Sequence, residues 1–475
     1  MSVRSRAKSL VDLKNGLISR EIFCNDEIYQ RELEQIYARV WLFIGHESQI
    51  PHAGDFVLSR MGEESVILTR DTTGGIQVLL NTCRHRGMAV CRYDQGNTRT
   101  FYCPFHGWAY SVDGSLVDTP GGLLGVPQYD TAYHGKLDKA QWGLIRARSF
   151  NYKGSIWASW DESAPSFLDY LGDMKLWLDE LLDFRDGRPA GAEVLGGIQK
   201  WRIPCNWKFI SENFIGDMYH TTSHVSVERV KIGPSGTGGD RHGFTKGYSQ
   251  ERRLVSFPAL GHGARGTLSE RDMPVPQFGD SVVDEYFERV WEKRQRHFEG
   301  RRFAGGNGGA IFPNMVFHCG HPRTIGVAHP ISPRETEMWR WYLVDKDAPP
   351  KVKETLRRQF LRYSGPGGMT EQDDMENWTS AAAASRGVIA RRYAFNYQQG
   401  LGSAAPLKSL RGALETKESV NEENIRTFYR RWAELMNSKQ WPELTAVREG
   451  KKSARDSVRV RSAAPQGRDR RISIH

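Results

Sequence analysis

Two short segments, each pairing a cysteine with a histidine, constrain the fold of this chain most. One residue separates Cys83 from His85, and two residues separate Cys103 from His106; seventeen residues lie between the two pairs. Two thiolates and two imidazoles can hold a structural zinc ion. They can also hold a [2Fe–2S] cluster of the Rieske type, in which both histidines bind the same iron. Either group requires a fold that brings two separate loops together.

The spacing of these residues favours the iron–sulfur cluster. The single residue between Cys83 and His85 is a tighter spacing than zinc-binding loops usually have. Each loop also has a glycine one or two residues after its histidine, which suits a sharp turn around a cluster. Imidazole ligands raise the reduction potential of a cluster, so it can accept electrons from a ferredoxin. The alternative is a non-enzymatic protein with a structural zinc ion.

A second group of metal-binding residue types lies between Pro204 and His224. Asn213, Asp217, His220 and His224 recur at steps of four, three and four residues. With about 3.6 residues per turn, this spacing predicts that all four lie on one face of one helix. A non-haem Fe(II) oxygenase needs two histidines and one carboxylate, and this face supplies the histidine pair. The alternative is an ordinary polar helix face.

The length of the chain predicts more than one domain, since 475 residues exceed what one hydrophobic core usually holds. From Pro51 to Trp160, short apolar runs alternate with Gly, Asp and Pro, which predicts an all-β domain. Antiparallel strands are predicted between Ala310 and Val344. Apolar periodicity predicts helices at Glu21–Val40, 166–183, Lys351–Tyr363, Thr370–Arg386 and Glu422–Met436.

The charge of the chain does not indicate a nucleic-acid partner. The net charge is +10, but residues 451–475 contain eight Lys or Arg and two Asp, so the rest of the chain carries only +4. A basic end on a nearly balanced body is typical of a disordered tail. Since no apolar run reaches the length of a membrane span and no signal-peptide pattern precedes residue 20, we expect no membrane partner and a cytoplasmic location.

Taken together, the motifs resemble the large (alpha) subunit of Rieske non-haem iron aromatic-ring-hydroxylating dioxygenases. The two Cys/His loops, the second reading CPFHGW, are followed by NWKxxxENxxxDxYH, which ends at His220. The segments IFPN, EQDDMENW and FNYQQGLG come later in the chain. The resemblance runs from about Glu21 to Met436.

The resemblance implies an α+β fold, in which an all-β Rieske domain is joined to a helix-grip-type catalytic domain with an antiparallel sheet. It also implies two cofactors per subunit, a [2Fe–2S] cluster and a mononuclear Fe(II). The cluster ligands would be Cys83, His85, Cys103 and His106, and the iron ligands would be His220, His224 and Asp374. The expected divisions are an N-terminal helical segment of the catalytic domain (1–40), the Rieske domain (41–160), the catalytic domain (161–450) and a disordered basic tail (451–475).

The resemblance also implies roles for three residues near the iron ligands: Asp217, Asn213 and Asp373. Asp217 would bridge His220 to His106 of a neighbouring subunit, with Asn213 beside it. A carboxylate between two imidazoles fixes their tautomers and shortens the path of an electron. Asp373, adjacent to the expected ligand Asp374, is the alternative iron ligand. Only three residues separate His220 from His224, whereas four or five are common in the family.

The resemblance further implies a multicomponent, NAD-dependent system. No flavin or nicotinamide motif occurs in the chain, so electrons must come from other proteins. The expected partners are a small beta subunit in an α3β3 assembly, a ferredoxin and an NAD(P)H-dependent ferredoxin reductase.

The expected reaction adds both atoms of O2 to a ring of an aromatic, polycyclic hydrocarbon and gives a cis-dihydrodiol. A mostly apolar pocket without an arginine placed to pair with a carboxylate favours a hydrocarbon. The alternatives are a Rieske oxygenase that acts on an aromatic carboxylate of the phthalate or salicylate type, and a monooxygenase or demethylase. The expected pocket residues are Phe214, Met218, Thr221, Met369 and Thr370, with 311–317 nearby.

Overall fold

The structure is a computed structural model. It describes residues 10–118, 125–217, 219–224, 227, 253–266, 268–269, 275–299, 303–304, 308–320, 322–418, 420–442 and 444, without the side chains of 221, 268–269 and 303–304. The predicted disordered tail at 451–475 and the pocket residue Met218 lie outside these residues. Within the described ranges, no helix combines the length and the apolar composition needed to cross a bilayer.

The N-terminal segment begins with two short antiparallel strands, β1 (Val11–Asp12) and β2 (Leu17–Ile18). The helix predicted at Glu21–Val40 is in fact interrupted. It consists of a 3-10 turn (Arg20–Phe23), helix α1 (Asp26–Glu32) and a π-helical turn (Leu33–Tyr37). The interruption follows from Asn25, whose side chain accepts a hydrogen bond from the N–H of Ile28 and so starts α1 anew.

The next part of the chain is almost entirely β-structure. Its strands form three antiparallel sheets, and their order confirms the expected all-β domain. The strands are β3 (Leu42–His46), β4 (Asp55–Met61), β5 (Glu64–Arg70), β6 (Ile76–Leu80), β7 (Gln95–Asn97), β8 (Thr100–Tyr102), β9 (Ala109–Ser111), β10 (Leu116–Val117), β11 (Arg148–Tyr152) and β12 (Ser155–Ser159). The sheet orders are β6-β5-β4-β7, β10-β9-β8 and β11-β12-β3. Short helical turns lie at Glu47–Gln49, Tyr129–Ala132 (α2) and Lys139–Trp142.

The larger part of the chain combines helices with one long sheet. The helices are α3 (Phe167–Leu171), α4 (Lys175–Leu182), α5 (Trp207–Gly216), α6 (Ser281–His297), α7 (Pro350–Tyr363), α8 (Met369–Ser385) and α9 (Glu423–Asn437), with 3-10 turns at Gly172–Met174, His220–His224 and Ala390–Arg392. The strands are β13 (Ala192–Val194), β14 (Gln199–Ile203), β15 (Leu254–Phe257), β16 (His262–Arg265), β17 (Leu268–Ser269), β18 (Phe303–Ala304), β19 (Gly308–Ile311), β20 (Met315–His318), β21 (Thr324–Ser332), β22 (Glu335–Asp345), β23 (Phe395–Asn396), β24 (Ala405–Pro406) and β25 (Leu414–Glu415).

The long sheet is antiparallel and has the order β13-β22-β21-β20-β19-β16-β15-β25-β24, with β14 also paired to β22. Helices α5 and α9 pack on it. The approach is close: a Cβ atom added at Gly263 on β16 would lie 2.8 Å from the side chain of Ile215 on α5. This arrangement confirms the predicted α+β catalytic domain with an antiparallel sheet.

Helices α7, α8 and α9 each start and end within one residue of the predicted bounds. Helix α6 was not predicted, although Val283, Phe287 and Trp291 recur at steps of four and are buried. These residues share a core with α7 and β22.

A buried charged group joins the N-terminal segment to α5 and α9. The Nζ atom of Lys208 lies 2.6 Å from a carboxylate oxygen of Glu32, and both side chains are fully buried. The indole N–H groups of Trp207 and Trp432 donate to the same carboxylate at 2.9 and 2.7 Å. Because the carboxylate of Glu32 is hydrogen-bonded to all three of these side chains, the buried Lys208–Glu32 pair fixes the position of the first turn of α5. The position of the first turn in turn sets where the C-terminal end of α5 lies.

Candidate metal centres

The two Cys/His loops have the same backbone structure. In each, the cysteine N–H donates to the carbonyl five residues later, and the residue four positions after the cysteine donates back to the cysteine carbonyl, at 2.7–2.9 Å. That fourth position is Gly87 in one loop and Gly107 in the other, with φ of +79° and +76°. A residue other than glycine would be strained at these angles. The two turns therefore place both cysteines at equivalent points, whereas His85 stands two residues and His106 three residues after its cysteine.

The four predicted cluster ligands are brought together by these turns. The rings of His85 and His106 have centroids 4.7 Å apart, and Cys83 and Cys103 are buried. In the part of the chain that the structure describes, the Nδ1 atoms of both histidines are buried without a hydrogen-bond partner. Burial raises the pKa of the Cys103 thiol, so its thiolate requires a compensating positive charge. Two thiols and two unsatisfied imidazole nitrogens fit a Rieske cluster.

Tyr110 on β9 adds a contact that the sequence did not predict. Its hydroxyl oxygen lies 3.3 Å from the sulfur of Cys83 and accepts a hydrogen bond from the N–H of Arg84 at 3.0 Å. Because Arg84 supplies a hydrogen to this oxygen, the hydroxyl can direct its own hydrogen towards the sulfur.

The second centre does not lie on one continuous helix, so that prediction is wrong. Helix α5 ends at Gly216, Asp217 has a non-helical ψ of 86°, and His220–His224 form a short 3-10 helix. The helix end has a partner on α9, since the side chain of Asn424 donates to the carbonyl of Ile215 at 2.8 Å. A satisfied terminal carbonyl allows the chain to leave the helix at this point.

Despite the break, the structure brings His220, His224 and Asp374 together. The Nε2 atoms of both histidines lie 3.5 Å from the same carboxylate oxygen of Asp374, which α8 contributes. One potential ligand atom from each residue lies within 4.8 Å of those of the other two. Two imidazoles and one carboxylate that converge on one point form the ligand set that non-haem iron oxygenases use.

The outer nitrogen of each histidine faces a second carboxylate. Nδ1 of His220 lies 3.3 Å from Asp217, and Nδ1 of His224 lies 3.3 Å from Asp373. Asp373, the alternative ligand, thus contacts His224 from the side away from Asp374, while Glu376 is exposed. Carboxylates in these positions hold the imidazole tautomer that presents Nε2 to a metal.

The electrostatics of the three residues fit a bound cation. In the described part of the chain, Oδ1 of Asp374 is buried without a hydrogen-bond partner. Burial raises the pKa of Asp374 to about 7 and lowers that of His224 to about 4. Burial also opposes protonation of His220, but Asp217 and Asp374 outweigh it and raise its pKa. A divalent metal ion would stabilise the carboxylate that burial disfavours.

The predicted pocket residues differ in their burial and in their contacts. Phe214 is buried on α5, and Asn213 is buried beside it. Met369 is half-buried at the start of α8, and the hydroxyl of Thr370 donates to the carbonyl of Tyr363. The side chain of Thr221 lies outside the described part of the chain.

An arginine that the sequence did not single out lies beside the predicted pocket residue Phe214. Arg265, at the end of β16, has Nη2 2.8 Å from Nε2 of His318. Its guanidinium carbon lies 5.7 Å from the ring centroid of Phe214, and the His318 ring lies 5.1 Å from the same ring. Arg265 belongs to no motif and is distant in sequence from both neighbours, so only the folded sheet reveals the contact.

Comparison with known proteins gives matches along most of the chain. Residues 40–129 match the family described as Rieske [2Fe-2S] domain, and residues 186–438 match the family described as ring hydroxylating alpha subunit (catalytic domain).

Two curated relatives and one solved structure illustrate the similarity. The chain is 39% identical to biphenyl 2,3-dioxygenase subunit alpha of Rhodococcus jostii (strain RHA1), over 92% of this chain and 93% of that protein. It is 36% identical to benzene 1,2-dioxygenase subunit alpha of Pseudomonas putida, over 94% and 96%. The crystal structure of naphthalene 1,2-dioxygenase from Rhodococcus sp. bound to indole superimposes with a TM-score of 0.75 at 33% identity, over 92% of this chain and 98% of that chain.

Proposed function

Since this chain belongs to the family of aromatic ring-hydroxylating dioxygenase alpha subunits, we propose that its substrate is an aromatic hydrocarbon ring, which it converts to a cis-dihydrodiol. The chain is an oxidoreductase with a [2Fe–2S] cluster and a mononuclear iron, as its two family matches indicate. The match to the Rieske [2Fe-2S] domain family favours a [2Fe–2S] cluster over a structural zinc ion at the two Cys/His loops. The relatives named for biphenyl and benzene support a hydrocarbon ring as the substrate.

The observation that carries the proposal is the group of His220, His224 and Asp374, whose ligand atoms converge within 4.8 Å. We assign the mononuclear iron to these residues and the cluster to the four Cys and His residues of the two loops. When bound, the iron supplies the activation of O2 with electrons that the cluster provides. The protein residues orient the centre: Asp373 hydrogen-bonds Nδ1 of His224, and Asp217 faces Nδ1 of His220 at 3.3 Å.

Asp217 has a further proposed role in electron transfer. It follows the end of α5 and faces His220, so a second contact with His106 of a neighbouring subunit would join the two centres through one carboxylate. A carboxylate shared by two imidazoles holds the facing proton on each of them. The nearby Asn213, on the preceding turn of α5, would support this position.

As an alpha subunit of a multicomponent dioxygenase, the chain works with a beta subunit and electron-transfer proteins. We propose an α3β3 assembly, a ferredoxin and an NAD(P)H-dependent ferredoxin reductase as these partners, and a cytoplasmic location. We also propose the division into residues 1–40 and 161–450 for the catalytic domain, 41–160 for the Rieske domain and 451–475 for a basic tail.

Labelled oxygen tests the proposed reaction. The purified oxygenase, with ferredoxin and reductase, should convert biphenyl to a dihydrodiol that contains two atoms of ¹⁸O when the reaction runs under ¹⁸O2. Incorporation of one atom would establish a monooxygenase instead. Ring products from none of biphenyl, naphthalene and benzene would reject the hydrocarbon substrate.

A further inference from the structure

The turn that carries both histidines of the iron site is short and depends on its neighbours. His220–His224 form a single 3-10 turn of five residues, which follows Asp217 and the end of α5. An isolated helical turn of this length is not stable, because its few hydrogen bonds do not offset the loss of backbone freedom. Contacts with other elements must therefore fix where the two imidazoles lie.

Helix α8 holds the second half of this turn. The side chain of Asn377 donates to the hydroxyl oxygen of Ser223 at 2.8 Å, and Asp373 lies 3.3 Å from Nδ1 of His224. Both side chains belong to the helix that also supplies Asp374. His224 is therefore placed by the same helix as the proposed carboxylate ligand.

The first half of the turn is held by Glu422, the residue immediately before α9. The hydroxyl of Tyr219, next to His220 in the chain, donates to one carboxylate oxygen of Glu422 at 2.9 Å. The other oxygen accepts from the backbone N–H of Gln399 at 2.8 Å, and the backbone N–H of Glu422 donates to the carbonyl of Gln399 at 3.1 Å. A buried carboxylate with a donor on each oxygen has a fixed orientation, so it holds the Tyr219 hydroxyl at a defined point.

Helix α9 also holds the end of α5, two residues before Asp217. The side chain of Asn424 donates to the carbonyl of Ile215 at 2.8 Å. Glu422 and Asn424 thus contact the chain on both sides of Asp217, whose carboxylate faces Nδ1 of His220 at 3.3 Å. The start of α9 therefore sets the path of the chain from the helix into the iron site.

We propose that Glu422 is a positioning residue for the iron site, and that its hydrogen bond to Tyr219 holds the first half of the histidine turn so that His220 faces Asp374. This inference rests on the proposed assignment of the mononuclear iron. Glu422 acts through Tyr219 and through the backbone that joins Tyr219 to His220. The effect is one of position and not of charge, so a neutral side chain that keeps both hydrogen bonds should replace Glu422.

Iron affinity, measured by competition with a chelator, tests the inference. Glu422→Ala removes the acceptor and should weaken binding of the mononuclear iron about 10-fold, similar to the smallest losses known for outer partners of metal ligands. Tyr219→Phe removes the hydroxyl and should have the same effect. The double variant should also bind iron about 10-fold more weakly, and not about 100-fold, because both changes break the same hydrogen bond. Losses that multiply would show that the two residues act independently and would overturn the inference.

Glu422→Gln separates position from charge. The amide oxygen of the new side chain can accept from the N–H of Gln399, while its amide nitrogen donates to the hydroxyl oxygen of Tyr219. Iron affinity should therefore remain that of the wild type. An affinity as low as that of Glu422→Ala would contradict a positioning role and would assign the effect to the charge.

Tyr152→Phe is the matched control. The hydroxyl of Tyr152 donates to a carboxylate oxygen of Asp179 at 2.6 Å, between β11 and α4, and neither element carries a proposed iron ligand. This change should leave iron affinity unchanged. The midpoint of thermal unfolding, measured for every variant, identifies a merely structural effect. A lower midpoint in Glu422→Ala with an unchanged iron affinity of the folded protein would overturn the inference.

Turnover of biphenyl distinguishes this inference from the proposed function. If the wild type binds the mononuclear iron but forms no ring product, the dioxygenase proposal fails, and weaker iron binding in Glu422→Ala and Tyr219→Phe still supports the inference. Ring oxidation by the wild type, together with wild-type iron affinity in both variants, would overturn the inference and leave the dioxygenase proposal standing. A wild-type protein that binds no iron beyond the cluster would reject both.

Discussion

The two metal centres of this chain are assembled in opposite ways. The four proposed ligands of the Rieske centre come from two loops with the same backbone hydrogen bonds, each closed by a glycine with positive φ. The proposed ligands of the iron centre come from the 3-10 turn that follows α5 and from α8, about 150 residues later in the chain. Local turn chemistry defines the first, whereas the packing of α5, α8 and α9 defines the second. The comparison teaches that the first centre should tolerate changes in the catalytic domain that abolish the second.

The largest expected effect is a complete loss of activity through the iron centre while the cluster stays intact. Asp374→Ala removes a ligand and should abolish ring oxidation, a greater loss than the roughly 10- to 100-fold caused by removing an outer partner of a ligand. The visible and EPR spectra of the cluster should remain those of the wild type. His106→Ala should instead lose both the cluster spectrum and activity. Loss of the cluster signal in Asp374→Ala would show that the centres do not assemble independently.

A smaller effect is expected at the proposed junction of the centres. Asp217→Asn keeps the size of the side chain but removes its charge, so electron transfer to the iron should slow and turnover should fall about 100-fold. Both metals should be retained. Stopped-flow measurement should show the cluster reduced normally by ferredoxin and reoxidised slowly in the presence of substrate. Unchanged reoxidation would contradict the role of Asp217.

The outer carboxylate of His224 should matter less. Asp373→Asn removes the charge 3.3 Å from Nδ1 of His224 and should weaken iron binding about 10-fold. Glu376→Gln, an exposed change on the same helix, is the matched control and should have no effect. Competition with a chelator measures the iron affinity of both variants. Equal iron affinity in the two variants would refute a contribution of Asp373 to the centre.

The smallest effect is expected in the Rieske loops. Tyr110→Phe removes a hydroxyl 3.3 Å from the sulfur of Cys83. A hydrogen bond to a cluster sulfur stabilises the reduced form, so the potential should fall by about 40 mV, equivalent to about 1 kcal/mol for one electron. Protein-film voltammetry measures the shift. The affinity of the catalytic centre for iron should not change, and an unchanged potential would exclude this hydrogen bond.

The same contrast explains what could be predicted from the sequence. The cluster ligands follow from local spacing, because a tight turn leaves few ways to place a cysteine and a histidine two or three residues apart. The histidine pair was found by a helical period, although the helix ends at Gly216 and the pair lies on a 3-10 turn. Asp374 came from the family resemblance, since spacing alone did not separate it from Asp373.

What could not be predicted depends on distant packing. Arg265 and His318 meet only because β16, β19 and β20 are neighbours in the sheet, and no local pattern marks either residue. Helix α6 was missed even though its apolar residues follow a helical period. Thr370 was predicted to line the substrate pocket, and the sequence did not reveal that its hydroxyl donates a hydrogen bond to the backbone carbonyl of Tyr363.

The central claim, that His220, His224 and Asp374 hold an iron separate from the cluster, is tested most directly by counting iron against acid-labile sulfide. The wild-type chain, expressed anaerobically, should contain about three irons for two sulfides, and Asp374→Ala about two irons for two sulfides. Three irons retained by Asp374→Ala, or a wild-type ratio of one iron per sulfide, would contradict it.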